Sequence, residues 1–227
     1  MSSDRARTLQ SGLEKMGISL TPKQQYQLLE YLELLQKWNK TFNLSGVKDP
    51  SAMVSRHLLD SLSLHAFMPT AETADQHRQT VIDVGTGPGL PGIPLAICFP
   101  DIDFILLDSN GKKTRFVFQA KVALALSNVR VENCRIEHYQ SPAQIDIVIS
   151  RAFSSLAEMV NKTRHLQQQK TTKMRGLAMK GLSPDAESAA LPAGVKIQRT
   201  LRVHIPGDPG ERHIIDMIAA DPESKTE

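Results

Sequence analysis

Hydrophobic and polar residues recur along this chain with two different periods, and the first of them is helical. Between Thr21 and about Lys40, apolar residues return at intervals of three and four, which places them on one face of a predicted helix. Thr21 and Gln24 have the spacing of a capping box at the start of that helix. A second helical pattern covers residues 50–67. The main apolar positions of the first helix are Leu28, Leu32, Leu35 and Trp38.

From Thr80 onward, short apolar runs alternate with helical patterns, which is typical of a parallel α/β sheet. The predicted strands are Thr80–Val84, Asp103–Leu107, Val129–Glu132, Ile145–Ile149 and Leu177–Met179. The predicted helices are Ile93–Phe99, Lys112–Leu126 and Ser154–Gln167. Two further apolar runs, Val195–Ile205 and His213–Ala219, flank the turn sequence PGDPGE and predict an antiparallel hairpin at the sheet edge.

These patterns predict three regions. Residues 1–78 form a small N-terminal helical unit and a polar linker, residues 79–220 form the α/β domain, and residues 221–227 form a tail. The predicted fold is therefore a mostly parallel sheet with an antiparallel C-terminal hairpin and an N-terminal helical extension.

Composition narrows the class of protein. Of 227 residues, 41% are hydrophobic and 22% are charged, as in an ordinary globular protein. The apolar runs are strand-sized, so we expect no membrane span. Because the first residues lack the apolar core of a signal peptide, we expect a cytoplasmic protein. The two cysteines, Cys98 and Cys134, lie in predominantly apolar or strand-like settings, so we predict packed thiols. The histidines have no metal-ligand spacing with these cysteines, so we predict no metal site.

The net charge of the chain is +3, and its positive residues are unevenly distributed. Residues 159–184 contain no Asp or Glu and carry six basic residues. Two interpretations remain open, a surface that faces phosphate groups and a solvated helix end and loop. The basic residues are Lys162, Arg164, Lys170, Lys173, Arg175 and Lys180.

The segment DVGTGPGLPGIPLA, residues 83–96, follows the first predicted strand and precedes a helix, which is the context of a nucleotide-binding loop. Counted from Gly87, it contains the G-x-G-x-x-G of a dinucleotide-binding turn. Counted from Asp83, it is an acid followed by three alternate glycines, as in proteins that bind S-adenosylmethionine (SAM). Glycines suit such a loop because a side chain would keep the cofactor away from the backbone.

Asp83 favours SAM over a dinucleotide. A carboxylate at the strand end would oppose the pyrophosphate of a dinucleotide, whereas it favours the ammonium and sulfonium groups of SAM, directly or through water. Asp108 follows the second strand and is placed to accept hydrogen bonds from a ribose diol. Because both cofactors contain a ribose, Asp108 indicates a nucleoside without choosing between them; it is alternatively a charge at a helix N-terminus.

Several motifs together resemble one known family. These are WNKTFNLSGVKDPSAMVSRHLLDSL, DVGTGPGLPGIPLA, LLDSNGKKTRFV, CRIEHY and ISRAF, in consistent order between about Thr21 and Gly181. The chain is similar to the RsmG (GidB) family of bacterial small-subunit ribosomal RNA guanine-N7 methyltransferases. The resemblance implies a Rossmann-like class I SAM-dependent methyltransferase fold and methyl transfer from SAM to N7 of guanine 527 of 16S rRNA, as naked rRNA or within the small ribosomal subunit.

The resemblance also implies the cofactor contacts. They fall on Gly85 and Leu90 in the glycine loop, on Ile136 and Glu137 in CRIEHY, and on Arg151 in ISRAF. For Ile136 and Glu137, an apolar contact and an acceptor suit the adenine ring and its amino group; Glu137 is alternatively an exposed charge, and Arg151 a structural ion-pair partner. The predicted cofactor-binding set is Gly85, Leu90, Ile136, Glu137, Arg151, Asp83, Gly87 and Asp108.

Methylation at guanine N7 needs no general base, because N7 carries a lone pair and no proton. We therefore name no catalytic residue and expect catalysis from alignment and electrostatic fit. Phe153 is a candidate for stacking on the base or for core packing. Asn43, Arg56 and His57 are candidates for the RNA side, although His57 is also interpreted as a buried, hydrogen-bonded histidine.

Two other functions remain open from the residues alone. An NAD(P)-dependent oxidoreductase would use the loop as counted from Gly87, but Asp83 counts against it. A non-catalytic RNA-binding protein would account for Lys112, Lys113 and Arg115 and for the basic residues of 159–184, but it would not need the glycine loop.

Overall fold

One seven-stranded sheet forms the centre of the computed structural model, which describes residues 3–69, 78–151, 153, 155–167, 174–181, 185–188 and 190–219. The strands are β1 (Thr80–Val84), β2 (Asp103–Leu107), β3 (Val129–Glu132), β4 (Ile147–Ser150), β5 (Arg175–Lys180), β6 (Val195–Ile205) and β7 (Asp208–Ala219). Their order in the sheet is β3-β2-β1-β4-β5-β7-β6. The linker residues 70–77, the predicted tail 221–227, Lys170 and Lys173 lie outside the described residues.

The strands β1 to β5 are parallel, and β7 pairs antiparallel with both β5 and β6. Chain order reverses at β1, which has β2 on one side and β4 on the other. Such a switch point opens a crevice beyond the carboxyl ends of the strands, where ligands bind in parallel α/β sheets. Asp83, Asp108 and Arg151 stand at this edge, at the end of β1 and just beyond β2 and β4.

Helices cover the sheet. They are α1 (Ser3–Met16), α2 (Pro22–Phe42), α3 (Asp60–Leu62), α4 (Gly92–Cys98), α5 (Gly111–Ala123), α6 (Leu156–Thr163) and α7 (Asp185–Ser188). Alternate strand residues face two separate apolar layers, as the period of two requires. Val81 and Leu106 belong to the layer that α2, α4 and α5 cover, whereas Ile82 and Leu107 belong to the layer on the other side, with Leu156 of α6. No helix among the described residues is long and apolar enough to cross a bilayer.

Helix α2 begins as the sequence predicts, with Thr21 and Gln24 forming both hydrogen bonds of a capping box. The same Gln24 also donates through Nε2 to the carbonyl oxygens of Ile97 and Cys98, each over 3.1 Å. The buried leucines of α1 and α2 lie in the same apolar layer as one face of the sheet. The N-terminal helices therefore pack directly on the α/β domain.

The predicted elements differ from the structure in a few places. The single helical pattern over 50–67 is broken into a π-helix (Val54–Leu59), α3 and a 3-10 turn (His65–Phe67), although its apolar residues are buried as expected. The hairpin turn is shorter than PGDPGE, because β7 already starts at Asp208.

Of the basic residues in 159–184, Lys162, Arg175 and Lys180 pair with carboxylates.

Candidate active site

The glycine loop turns sharply at the end of β1. Gly85, Gly87 and Gly89 have φ values of 72°, 60° and 97°, a region that residues with a Cβ rarely adopt. The amides of Gly85 and Thr86 both donate to the carbonyl oxygen of Leu107, over 2.9 and 3.0 Å. A Cβ on Gly87 would meet no atom within 4 Å, so the loop borders open space at that point.

Asp83 lies beneath the loop and is fully buried. Its Oδ2 accepts hydrogen bonds from Thr86 Oγ1 over 2.6 Å and from the Gly92 amide over 2.9 Å. Its Oδ1 has no hydrogen-bond partner among the described residues. Burial raises the pKa of Asp83 to about 6, although the hydrogen bonds from Thr86 and Gly92 act in the opposite direction. A buried carboxylate with one unpaired oxygen fits the cationic groups of SAM better than a phosphate.

Two cavities border the glycine loop, and the smaller one, of about 230 Å³, lies at the carboxyl ends of β1 and β2. It brings together four of the predicted cofactor residues with Phe153, which also packs against the apolar layer beneath it. Sequence reasoning did not identify Glu158 and Lys162 as part of this wall, because they are half-buried polar positions of α6 with no motif around them. The predicted residues in this cavity are Gly85, Asp108, Ile136 and Glu137.

Asp108 and Glu137 also make contacts within the protein. Asp108 accepts hydrogen bonds from the amides of Gly87 and Asn110, over 2.9 and 2.8 Å, so it holds the glycine loop as well as lining the cavity. Each oxygen of its carboxylate keeps a lone pair for a further donor. Glu137 is exposed, and Lys162 Nζ lies 3.2 Å from its Oε1. A backbone hydrogen bond and the Lys162 contact lower the pKa of Glu137, so it is an ionised acceptor.

A larger cavity of about 710 Å³ lies on the other side of the glycine loop. Its walls come from five parts of the chain, namely residues 44–60, the glycine loop, the end of β4, the end of β5 and the β6–β7 hairpin. Leu90 and Arg151 from the predicted set line this cavity, and Asp83 and Gly87 line neither cavity. Six of the eight predicted residues are therefore divided between two cavities that share the loop.

Charged side chains form a connected series in the wall of the larger cavity. Asp60 is buried, and its two oxygens accept hydrogen bonds from Arg151 Nη1 over 2.9 Å and from Arg212 Nε over 2.7 Å. Arg212 Nη2 also contacts Asp208 Oδ2 over 3.2 Å, and Arg56 Nε lies 3.8 Å from Asp208 Oδ1. Asp60 and Arg212 were missed by sequence reasoning; the available signal was a carboxylate among the leucines of the segment HLLDSL.

His57 is a buried, hydrogen-bonded histidine in the wall of this cavity. This was one of the two interpretations of His57 from the sequence. Its Nδ1 lies 3.1 Å from the carbonyl oxygen of Arg56, so Nδ1 carries the proton and donates. Its Nε2 then accepts from the Ser45 hydroxyl over 2.8 Å. Burial and the nearby Arg151 lower the pKa of His57 to about 4. Asn43 ends α2 in a left-handed conformation and lines neither cavity.

Relatives and similar folds agree with this architecture. The GidB family, described as rRNA small subunit methyltransferase G, matches residues 24–215. The ribosomal RNA small subunit methyltransferase G of Pseudomonas aeruginosa (strain LESB58) is 48% identical over 210 residues, covering 92% of this chain and 94% of the relative. The protein of the same name from Ectopseudomonas mendocina (strain ymp) is 50% identical with the same coverage.

Among solved structures, a SAM-dependent methyltransferase from Aquifex aeolicus is similar with a TM-score of 0.54 at 15% identity, covering 78% of this chain and 97% of that one. TrmN from Thermus thermophilus has a TM-score of 0.51 at 16% identity, covering 82% of this chain and 52% of that one. The predicted Rossmann-like methyltransferase fold is thus confirmed, and the oxidoreductase and the non-catalytic RNA-binding protein are not favoured. By the match over most of its length, the chain belongs to the GidB family, rRNA small subunit methyltransferase G.

Proposed function

We propose that this SAM-dependent rRNA methyltransferase transfers the methyl group of SAM to N7 of the guanine at position 527 of 16S rRNA. The observation that carries the proposal is the glycine loop, which borders a smaller cavity suited to a nucleoside on one side and a larger cavity with a cationic wall on the other. A methyl group held at the loop would lie between a cofactor in the first cavity and an RNA base in the second.

The smaller cavity suits the adenosine part of SAM. Ile136 offers an apolar surface for the adenine ring, and the ionised Glu137 accepts a hydrogen bond from a ring amino group. The free lone pairs of Asp108 accept hydrogen bonds from the ribose hydroxyls. Gly85 allows the backbone to approach the ligand, because it has no side chain. Gly85, Ile136 and Glu137, together with Leu90 and Arg151, are the positions that the family resemblance implies.

The other end of SAM carries an ammonium and a sulfonium group, which suit the position of Asp83. This carboxylate is buried at the base of the loop, and its unpaired Oδ1 leaves negative charge there that attracts the cationic groups of a ligand held at the loop. Gly87 leaves open space above the same part of the loop, where a Cβ would obstruct a ligand. These two residues shape the binding site from within the loop.

The larger cavity suits the base that accepts the methyl group. SAM supplies an electrophilic methyl group, and guanine N7 attacks it with a lone pair that is already free. The protein therefore has to hold N7 in line with the methyl group and to exclude water, without removing a proton. His57 fits this account, because it is neutral and both of its ring nitrogens are hydrogen-bonded within the protein.

RNA recognition at this cavity requires an unpaired or displaced guanine, since a stacked base would not reach the loop. The cationic side chains of Arg56, Lys180 and Arg212 line the cavity and suit the phosphate groups that flank such a base. The partner is 16S rRNA, either naked or within the small ribosomal subunit. We place the reaction in the cytoplasm.

The test is incubation with methyl-labelled SAM and either unmodified 30S subunits or naked 16S rRNA, followed by mapping of the label. The expected result is label at N7 of guanine 527, and its absence from guanine N7 in both substrates would contradict the proposal. Glu137→Gln weakens SAM binding in a calorimetric titration, whereas Glu14→Gln on helix α1 leaves it unchanged. Saturable binding of NADH in place of SAM would instead support an oxidoreductase.

A further inference from the structure

Among the described residues, Asp60 and Asp216 are only 1% exposed, and each accepts hydrogen bonds from a pair of arginines. Asp60 binds Arg151 and Arg212, over 2.9 and 2.7 Å. Asp216 of β7 binds Arg175 through both of its oxygens, over 2.7 and 2.8 Å, and Arg199 over 3.0 Å. The first bridge stands in the wall of the larger cavity, whereas none of the three residues of the second lines either cavity.

The Asp60 bridge joins three distant parts of the chain. Asp60 starts α3, Arg151 follows β4 at a separation of 91 residues, and Arg212 lies in β7 at a separation of 152 residues. Burying a carboxylate is costly, and a well-packed apolar residue often stabilises a core as well as a buried ion pair does. Unlike an apolar residue at this place, Asp60 holds the two guanidinium groups in fixed positions.

Both guanidinium groups keep hydrogen-bond donors beyond those that hold them. The side chains of Arg151 and Arg212 are 29% and 27% exposed, and both line the larger cavity. Arg212 uses three of its five N–H groups, on Asp60, on Asp208 and on the Glu211 carbonyl oxygen. Two donors of Arg212 therefore remain, on a planar group whose orientation is fixed from three sides.

We propose that Asp60 is a positioning residue for RNA binding. Asp60, which Arg151 also anchors, holds Arg212 so that the free N–H groups of Arg212 bind a phosphate of the RNA strand. This inference rests on the proposed function for the presence of RNA in the larger cavity. Arginine suits the role because its planar group donates two parallel hydrogen bonds to phosphate oxygens. Arg56, whose side chain is half exposed, adds positive charge at the same wall.

Because Asp60 is negatively charged, a positioning role and a general electrostatic effect predict opposite changes in RNA affinity when its charge is removed. Removing a negative charge from the wall of an RNA-binding cavity would, by charge alone, strengthen RNA binding. Loss of a positioning residue has the opposite effect, because Arg212 loses the bond that holds its Nε and is then oriented less firmly toward the phosphate, by Asp208 and the Glu211 carbonyl oxygen alone. The sign of the change in RNA affinity therefore distinguishes the two.

The experiment measures equilibrium binding of the full chain to transcribed 16S rRNA over a series of KCl concentrations, without SAM. Asp60→Asn keeps the shape of the side chain and removes its charge, and Asp216→Asn makes the same change at the bridge outside the cavities. We expect Asp60→Asn to weaken binding about tenfold, as for one lost charge-assisted hydrogen bond. We also expect the slope of log K against log salt to decrease by about 0.7, as for one lost phosphate contact with a single strand. Asp216→Asn lowers the melting temperature but leaves the slope unchanged.

Arg212→Gln tests the same contact without changing the buried carboxylate, and Arg199→Gln is its matched control at the second bridge. If Asp60→Asn does not fold, this second pair decides the question by the same slope. Unchanged or tighter RNA binding in Asp60→Asn, or an equal loss of slope in both members of a pair, would overturn the proposal. Methyl transfer by the unmodified protein is assayed separately, so a failure of the proposed function is recognised independently of these binding slopes.

Discussion

The hydroxyl of Tyr31 donates a hydrogen bond to the carbonyl oxygen of Pro88 over 2.9 Å. This bond joins the N-terminal helix α2 to the glycine loop at a point where both are buried. Burial raises the pKa of Tyr31, so its hydroxyl stays protonated and remains a donor throughout the physiological pH range. The N-terminal helices thus help to hold the loop that borders both cavities.

Replacing Tyr31 by Phe removes this bond and keeps the ring in the core. We expect Tyr31→Phe to lower the free energy of unfolding by about 1 kcal/mol, since the Pro88 carbonyl loses its donor in a buried place. We also expect weaker SAM binding, because the loop is less well held. Urea denaturation and calorimetric titration with SAM measure the two effects. The control is Tyr26→Phe at an exposed position of the same helix, and equal SAM affinity in both variants would contradict the prediction.

We expect Asp83 to make SAM binding dependent on pH. Burial raises the pKa of its carboxyl group to about 6, so the group gains a proton and loses its charge as the pH falls through 6. A positively charged ligand binds the ionised form better, and the Kd for SAM should therefore rise below pH 6, by up to about tenfold per pH unit. Calorimetric titrations between pH 8 and pH 5 measure this rise.

Asp83→Asn provides the control for that titration, because an amide does not ionise in this range. We expect this variant to bind SAM more weakly at pH 8 and to lose the extra dependence on pH near 6. Comparing the two proteins with the same ligand removes the titration of SAM itself from the difference. Parallel pH profiles for the unmodified protein and the variant would rule out a role for the Asp83 charge.

The parts of this fold that depend on local sequence were predicted closely. Strands β1, β2 and β3 have the predicted bounds. The glycine loop was also recognised, since its positive φ values require glycine at three nearby positions. The role of Asp83 in SAM binding stays a prediction, and sequence reasoning did not show that the loop itself takes up one of its oxygens.

The features that the sequence did not predict depend on contacts between distant residues. Asp60 and Arg212 are 152 positions apart, and no local pattern relates them. The segment 54–67 has apolar residues at helical spacing, but it also buries polar side chains, among them His57 and Asp60. Periodicity did not reveal the π-helix, because six residues are too few for its wider turn to change the hydrophobic pattern.

Gly92 is required by the close packing of α4 on β2. A Cβ at this position would overlap Leu106 Cδ2 and lie 2.8 Å from Asp83 Oδ2, which accepts the hydrogen bond of the Gly92 amide. We expect Gly92→Ala to lower the free energy of unfolding by about 1–3 kcal/mol, as for overpacking in a core. Gly46→Ala is the control, because a Cβ there meets no atom within 4 Å. Thermal melting of both variants tests this, and equal melting temperatures would refute it.

His57 makes the stability of the protein depend on pH. Burial lowers its pKa from an ordinary value near 6.5 to about 4, so between these values the unfolded chain binds a proton that the folded protein does not. The contribution of His57 is therefore complete above pH 6.5 and is lost as the pH falls toward 4, by about 3 kcal/mol in total. His57→Gln has no such titration, so its deficit in free energy of unfolding relative to the unmodified protein should shrink between pH 7.5 and pH 5. Urea denaturation at several pH values measures this difference. The control is His138→Gln, at an exposed position. A deficit that stays constant with pH would show that His57 is not the group responsible.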